Sequence, residues 1–129
     1  LLKSRDIDLE LDIEEELDGC FDLDLIASIL NNVLGNAIRY TKNTIRISAY
    51  YDDGLVIDIA DDGIGYPEFM LKEQENFIKS IDHSTGSTGL GLYFAGQIAR
   101  LHKQGETKGT IKLLNGGELK GGIFRLTLP

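Results

Sequence analysis

Cysteine occurs once, methionine once, proline twice and tryptophan not at all in these 129 residues. The lone Cys20 excludes an internal disulfide framework and a cysteine-rich metal site, and a reducing compartment is the expectation. No apolar run approaches the roughly 18 to 20 residues a membrane helix needs. The opening LLKSRDIDLELD also lacks the basic head and apolar middle of a signal peptide. Pro-rich linkers, low-complexity tracts and internal repeats are missing too, so a single domain over 1–129 is expected.

What is present is the balance of a soluble folded protein, 42% apolar and 26% charged. The formal charge of −8 is unevenly spread, because residues 1–24 hold ten acids against Lys3 and Arg5. From residue 25 onward eleven acids meet eleven bases, so that part of the chain can hold a small polyanion without a global penalty. A nucleic-acid partner is not expected.

Residues 6–13 alternate strictly, with Ile7, Leu9, Leu11 and Ile13 on one face, which predicts a half-buried strand. From 22 to 40 the period changes to that of a helix, with Ile26, Ile29, Leu30, Val33, Leu34, Ala37 and Ile38 on one side and Asp22 or Asp24 as cap. Thr44 to Tyr51 and Leu55 to Ala60 predict a hairpin around Asp52-Asp53-Gly54. A second helix is predicted from Leu90 to Lys103, and a closing hairpin from Gly109 to Leu114 and Gly121 to Leu128. Residues 61–89 are too rich in glycine and serine, and too long, for an ordinary connection, which marks a functional loop. The pattern is α+β with mainly antiparallel strands.

Three segments carry candidate chemistry. On the first helix Asn32, Asn36 and Arg39 fall within roughly 60° of one another on a wheel of 100° per residue, flanked by Ser28 and Gly35. Asn and Gly weaken a helix, so a whole stripe of them points to a ligand. Neutral amides coordinate a hard cation or bond phosphate oxygens, and Arg39 adds charge-assisted bonds. In the second segment, Asp61-Asp62-Gly63-Ile64-Gly65, the alternation Leu55, Ile57, Ile59 carries Asp61 inward. A carboxylate there needs donors such as an amino-purine edge, although Asp-x-Gly-x-Gly alone also reads as a turn. The third segment, Thr85 to Leu92, runs into a predicted helix whose amide end can receive phosphates. It has neither the Gly-Lys-Ser/Thr ending of a P-loop nor the preceding strand of a dinucleotide fingerprint.

Together, Asn32-Val-Leu-Gly-Asn36-Ala-Ile-Arg39-Tyr40-Thr, Asp61-Asp-Gly63-Ile-Gly65 and Thr88-Gly89-Leu90-Gly91-Leu resemble the N, G1 and G2 boxes of the catalytic ATP-binding domain of sensor histidine kinases, in the Bergerat (GHKL) superfamily. The likeness extends to the terminal Gly121-Gly122 to Pro129 and so covers essentially the whole chain. It implies an α/β sandwich, a mixed, mainly antiparallel sheet with helices on one face, and a mobile ATP lid over about 66–88. By the resemblance Asn36 is the magnesium ligand, Asn32 supports phosphates or metal, Arg39 meets phosphate and Tyr40 flanks the adenine or ribose. Asp61 accepts from the adenine amino group, Gly63 and Gly65 shape the base pocket, and Thr88, Gly89, Leu90 and Gly91 border the phosphates. Phe77 and Lys79 stand where the family has Phe-x-Arg, so Lys79 takes the place of an arginine near the phosphates. Asp62 and Tyr66 depart from the commoner Asn and Ile.

Gyrase-like, mismatch-repair and chaperone relatives resemble one another in carrying Glu where this chain has Asn32. An amide orients but cannot deprotonate a water, which favours phosphoryl transfer over hydrolysis. The resemblance implies Mg²⁺ and ATP as cofactors and a histidine acceptor on a separate dimerisation domain of the same or a partner chain. It also implies a response regulator downstream, a monomeric isolated domain, and a cytoplasmic location with any membrane anchor left to the parent protein. A degenerate nucleotide-binding or interaction module and a GHKL-type ATPase are the alternatives. His83 is expected to be a solvated loop residue and His102 a helix-end side chain favoured by the dipole.

Overall fold

The two periods written into the sequence become a five-stranded sheet with two long helices packed against one of its faces. The computed structural model of the chain describes residues 7–14, 22–74 and 87–129. In chain order the elements are β1 (Asp8–Ile13), α1 (Leu23–Tyr40), β2 (Thr44–Tyr51), β3 (Leu55–Asp61), a short α2 (Glu68–Lys72), α3 (Ser87–Leu101), the two-residue strands β4 (Lys103–Gln104) and β5 (Thr107–Lys108), β6 (Thr110–Gly116) and β7 (Gly121–Leu128). The main sheet runs β1-β2-β3-β7-β6; β1 is parallel to β2 and every other pairing is antiparallel. The expected mixed, mainly antiparallel α+β sandwich is what forms.

Helix α1 starts where Asp22, in extended conformation, accepts from the Leu25 amide at 3.1 Å, which satisfies one of the unpaired first-turn donors. Its buried stripe is Ile26, Ile29, Val33 and Ala37, spaced three and four apart. These meet Ile45 of β2, Leu55, Ile57 and Ile59 of β3, Leu113 of β6 and Phe124, Leu126 and Leu128 of β7, while α3 adds Ala95 and Ala99. Alternation along β3 and β7 sends the other side chains to the opposite face, where Asp58 takes a two-pronged bond from Arg125 at 2.8 and 3.0 Å. Arg46 on the same face bridges Glu10 and Glu118 at 2.7 Å each. One dry face and one wet, charge-paired face is the normal condition of such a sheet.

Several boundaries differ from expectation. The second helix begins at Ser87 rather than Leu90 and stops at Leu101, because Lys103 and Lys108 pair across a small antiparallel ribbon, β4 with β5. Part of the long connection is helical too: α2 buries Met70 in the core. The larger correction concerns β1. Its apolar face is not half-buried; Leu9, Leu11 and Ile13 are 42%, 64% and 54% exposed. The alternation is real, but α1 lies over β3 and α3 over β6 and β7, and β1 is two strands outside β3. Among the described residues no helix is long and apolar enough to cross a membrane.

Candidate functional site

One end of the sandwich gathers the three sequence segments. Helices α1 and α3 pack side by side, and the Asp22 amide at the start of α1 bonds His102 just beyond the end of α3. The last turns of α1 and the first turn of α3 therefore share the opposite end, beside the carboxyl end of β3. Asn32 is exposed on α1, outside the buried stripe. Asn36, Arg39 and Tyr40 follow on the same helix, and Thr88, Gly89, Leu90 and Gly91 occupy the opening turns of α3 rather than a loop ahead of it. The side chains of these seven residues lie outside what the structure describes. So do Phe77, Lys79 and His83, and with them residues 75–86 of the expected lid.

Asp61 closes β3 opposite Ile45 and continues the inward alternation of Leu55, Ile57 and Ile59, as the sequence predicts. Its Oδ1 accepts from the Gly63 amide at 2.8 Å and from the Gly122 amide at 3.3 Å. No donor among the described residues reaches its Oδ2, so acceptor capacity remains for a ligand. Strand β7 approaches this carboxylate through two glycines. A Cβ on Gly121 would strike the Asp61 carbonyl oxygen and stand 2.7 Å from both Asp61 Oδ1 and Gly63 N. A Cβ on Gly122 would stand 3.1 Å from Tyr66 Cε2 and 3.4 Å from Asp61 Oδ2. Burial, and then the charge of Asp61, push the Tyr66 phenol upward, so it stays a protonated donor.

The loop carrying Gly63, Gly65 and Tyr66 is fixed to edge strand β6 by a side-chain amide. Asn115 accepts from the Tyr66 amide at 2.8 Å and donates to the Tyr66 carbonyl at 2.9 Å, imitating a strand neighbour. Gly65, at φ +82°, passes directly over this amide, and a Cβ there would fall 2.7 Å from Asn115 Oδ1. Eight residues on, Gln74 repeats the device: it accepts from the Leu113 amide at 2.9 Å and donates to the Leu113 carbonyl at 3.0 Å. The loop thus leaves the sheet only after two fixed points.

Asp62 has the opposite character from its neighbour. Its two oxygens accept from the Thr41 hydroxyl (2.7 Å) and from the amides of Lys42 (2.8 Å), Asn43 (3.0 and 3.1 Å) and Thr44 (3.2 Å). Burial by itself would raise its carboxyl, but the Asn43 amide, the Thr41 hydroxyl and the Thr44 and Lys42 amides outweigh it and hold the group down to about 2.

His102 lies at the end of α3 as expected, and it is buried and bonded on both ring nitrogens. It is 8% exposed, its Nε2 accepts from the Asp22 amide at 2.9 Å, and its Nδ1 stands 2.9 Å from the Ile98 carbonyl. An imidazole that accepts at Nε2 and donates at Nδ1 is the neutral tautomer. It joins two helices.

The structure thus brings Asp61, Gly63 and Gly65 to one end, with the N and G2 segments on the helices beside it; sequence reasoning leaves other contacts out. It gives Gly121, Gly122 and Asn115 no contact with these segments, and names Asp62 only as a departure within the second one. Two consecutive glycines in a strand were the available signal for close backbone approach. The bonds of Asn115 and Asp62 left none, because their partners are distant in sequence.

The family model described as histidine kinase-, DNA gyrase B- and HSP90-like ATPase matches residues 21–129. Sensor histidine kinase YkoH of Bacillus subtilis is 36% identical over 129 residues, covering 92% of this chain and 28% of the relative; sensor histidine kinase CssS of the same organism is 35% identical, covering 97% and 26%. The chain therefore spans roughly a quarter of the length of these curated relatives. Among solved structures, the nucleotide-free catalytic domain of histidine kinase ThkA superposes with a TM-score of 0.80 at 26% identity, over 99% of this chain and 83% of that one. Acinetobacter baumannii histidine kinase AdeS gives 0.72 at 26% identity, over 98% and 56%. The fold, the ordered motifs and the matched family model agree: this chain belongs to the histidine kinase-, DNA gyrase B- and HSP90-like ATPase family, and its relatives named here are sensor histidine kinases.

Proposed function

We propose that this chain is the ATP-binding catalytic domain of a sensor histidine kinase, binding Mg-ATP and passing its γ-phosphoryl group to a histidine on a separate dimerisation domain. The observation that carries the reading is Asp61, a carboxylate at the end of β3 with one oxygen open among the described residues, held by the Gly63 and Gly122 amides where Gly121 and Gly122 bring β7 against it. An adenine amino group supplies the donor that Oδ2 lacks, and the missing Cβ atoms let β7 lie directly against Asp61 and the Gly63 and Tyr66 loop, which fixes the carboxylate.

Magnesium supplies charge neutralisation across the phosphates when bound. Asn36, with Asn32 in support, is the residue to hold it, since neutral amide oxygens suit a hard cation that takes its remaining ligands from phosphate and water. Arg39, and Lys79 from the lid, neutralise phosphate charge, and the amides opening α3 at Thr88 to Gly91 receive phosphate oxygens. In the transfer, the acceptor imidazole nitrogen forms its bond to γ-phosphorus as the bridging oxygen leaves with ADP. Neutral imidazole needs no base, so Asn32 in place of a carboxylate supports transfer over hydrolysis. The partners are accordingly a phosphoacceptor domain of the same or a partner kinase chain and a response regulator downstream. The domain by itself is monomeric and cytoplasmic, with any membrane anchor elsewhere in the parent.

Titration calorimetry with ADP and a non-hydrolysable ATP analogue, with and without magnesium, tests the binding half. Saturable binding whose magnesium dependence disappears in Asn36→Ala supports the reading, and equal weak binding in both proteins refutes the metal site. For the transfer half, phosphate release by the domain is compared with labelling of an added phosphoacceptor domain. Fast release without labelling would reassign the chain as an ATPase.

A further inference from the structure

We infer that Asp62 is a positioning residue that sets the separation between Asp61 and the phosphate-facing last turns of α1. The inference rests on the nucleotide reading above and deepens it. Helix α1 ends at Tyr40, one residue after Arg39, and the ladder joining β2 to β3 begins only at Ile45 opposite Asp61. Between the two runs the turn Thr41 to Thr44, and Asp62 binds all four of its residues at 2.7 to 3.2 Å. These three amides and one hydroxyl converge on one carboxylate that is covalently adjacent to Asp61. Charge-assisted bonds of this kind are short and stiff, so this side chain adds to the Ile45–Asp61 pairing in registering the chain that leaves Arg39 and Tyr40 against the base acceptor.

In this chain the role falls to a carboxylate, where the family resembled more commonly has Asn. Donors approach both oxygens, Oδ1 from Thr41, Lys42 and Asn43 and Oδ2 from Asn43 and Thr44. In Asp62→Asn one of those atoms becomes an NH₂ facing donors, so either the Thr41 and Lys42 bonds or the Thr44 bond is lost and the turn loosens from β3. The oxygens of Asp62 are already occupied within the protein, which separates its task from that of Asp61. A ligand that touches only Asp61 should be indifferent to this slack; one that spans from Asp61 to the phosphate-binding turns of α1 should feel all of it.

The test is the ratio of affinities for ADP and adenosine, measured for wild type, Asp62→Asn, Thr41→Val and the double variant at a temperature where circular dichroism shows each folded. Wild type binds ADP about tenfold or more tightly than adenosine, through the phosphates. Asp62→Asn is expected to reduce that ratio about tenfold while adenosine affinity moves less than about threefold. Thr41→Val, which removes one donor and keeps the carboxylate, reduces it about threefold, and the double variant is no worse than Asp62→Asn alone, as for two groups in one network. Rescue of the ratio is not expected from stabilising conditions such as added osmolyte. If both ligands weaken in step, or only the melting temperature falls and the ratio holds, Asp62 is a structural clamp and the inference fails. Should wild type bind neither ligand, it is the nucleotide reading that falls, and the inference with it.

Discussion

The two ends of the helix pair use hydrogen-bonding capacity in opposite ways. At one end the His102 ring spends both nitrogens inside the protein, on the Asp22 amide and the Ile98 carbonyl. At the other end Asp61 leaves Oδ2 without a partner among the described residues, beside the glycines of β7 and the Tyr66 ring. Both groups are polar, and both sit at the margin of the core. A saturated polar group contributes to stability and a partly open one to recognition, so the unspent capacity, rather than burial or residue type, distinguishes the site end from the structural end.

The largest effect that would break this contrast is expected at the open end. Asp61→Asn, which can keep an oxygen for the Gly63 and Gly122 amides while turning the open one into a donor, should weaken ADP by about 100-fold while the melting temperature moves little. Calorimetry and a thermal melt on the same sample separate the two effects, and a variant that still bound ADP with wild-type affinity would remove Asp61 from the site. At the saturated end the outcome reverses. His102→Ala orphans the Asp22 amide and should cost about 1–3 kcal/mol, seen as a melting temperature lower by several degrees with nucleotide affinity within about twofold.

Asp62 sharpens the comparison, being saturated yet located at the site end. Its folded-state value of about 2 lies below the ordinary 3.8, so the folded state binds a proton less readily than the unfolded chain. Its stabilising contribution is complete above about pH 4 and is lost as the pH falls toward 2. Urea melts at successive pH values should show a decline across that window that is shallower in Asp62→Asn; identical slopes would assign the acid sensitivity to other carboxylates. The smallest effect concerns Gly35, which lies mid-helix beside the amide stripe with nothing within 4 Å of an added Cβ. Gly35→Ala should stabilise by up to about 1 kcal/mol in a thermal melt. If it does so while weakening nucleotide, the glycine is there for the ligand rather than for the helix.

How much of this could be read from the chain follows the range of each interaction. Helix α1 and the β2–β3 hairpin are local, set by periodicity, a capping Asp22 and the turn at Asp53 and Gly54, whose φ values of +55° and +138° suit those residues. Asp61 was legible because alternation along one strand projects to its end. The exposure of Leu9, Leu11 and Ile13 was not, because periodicity gives the face of a strand and not its place in the sheet. Nor were the bonds from Asp22 to His102 and from Tyr66 to Asn115, whose partners are 80 and 49 residues apart. A histidine near a helix end looks like a dipole partner until the backbone amide that fills its other nitrogen comes into view.

The placement of β7 beside β3 also has a kinetic meaning. Half of the Asp61 cradle is local, from Gly63, and half comes from Gly121 and Gly122, about sixty residues later in the chain. Loop closure over such distances is slow relative to hairpin formation, so β2 and β3 can pair well before the terminal hairpin docks. Until that docking, all three sequence motifs exist while the base cradle does not. Nucleotide capture is thereby tied to completion of the C-terminal strand, and a chain interrupted before Gly121 would carry the motifs without a place to put the base.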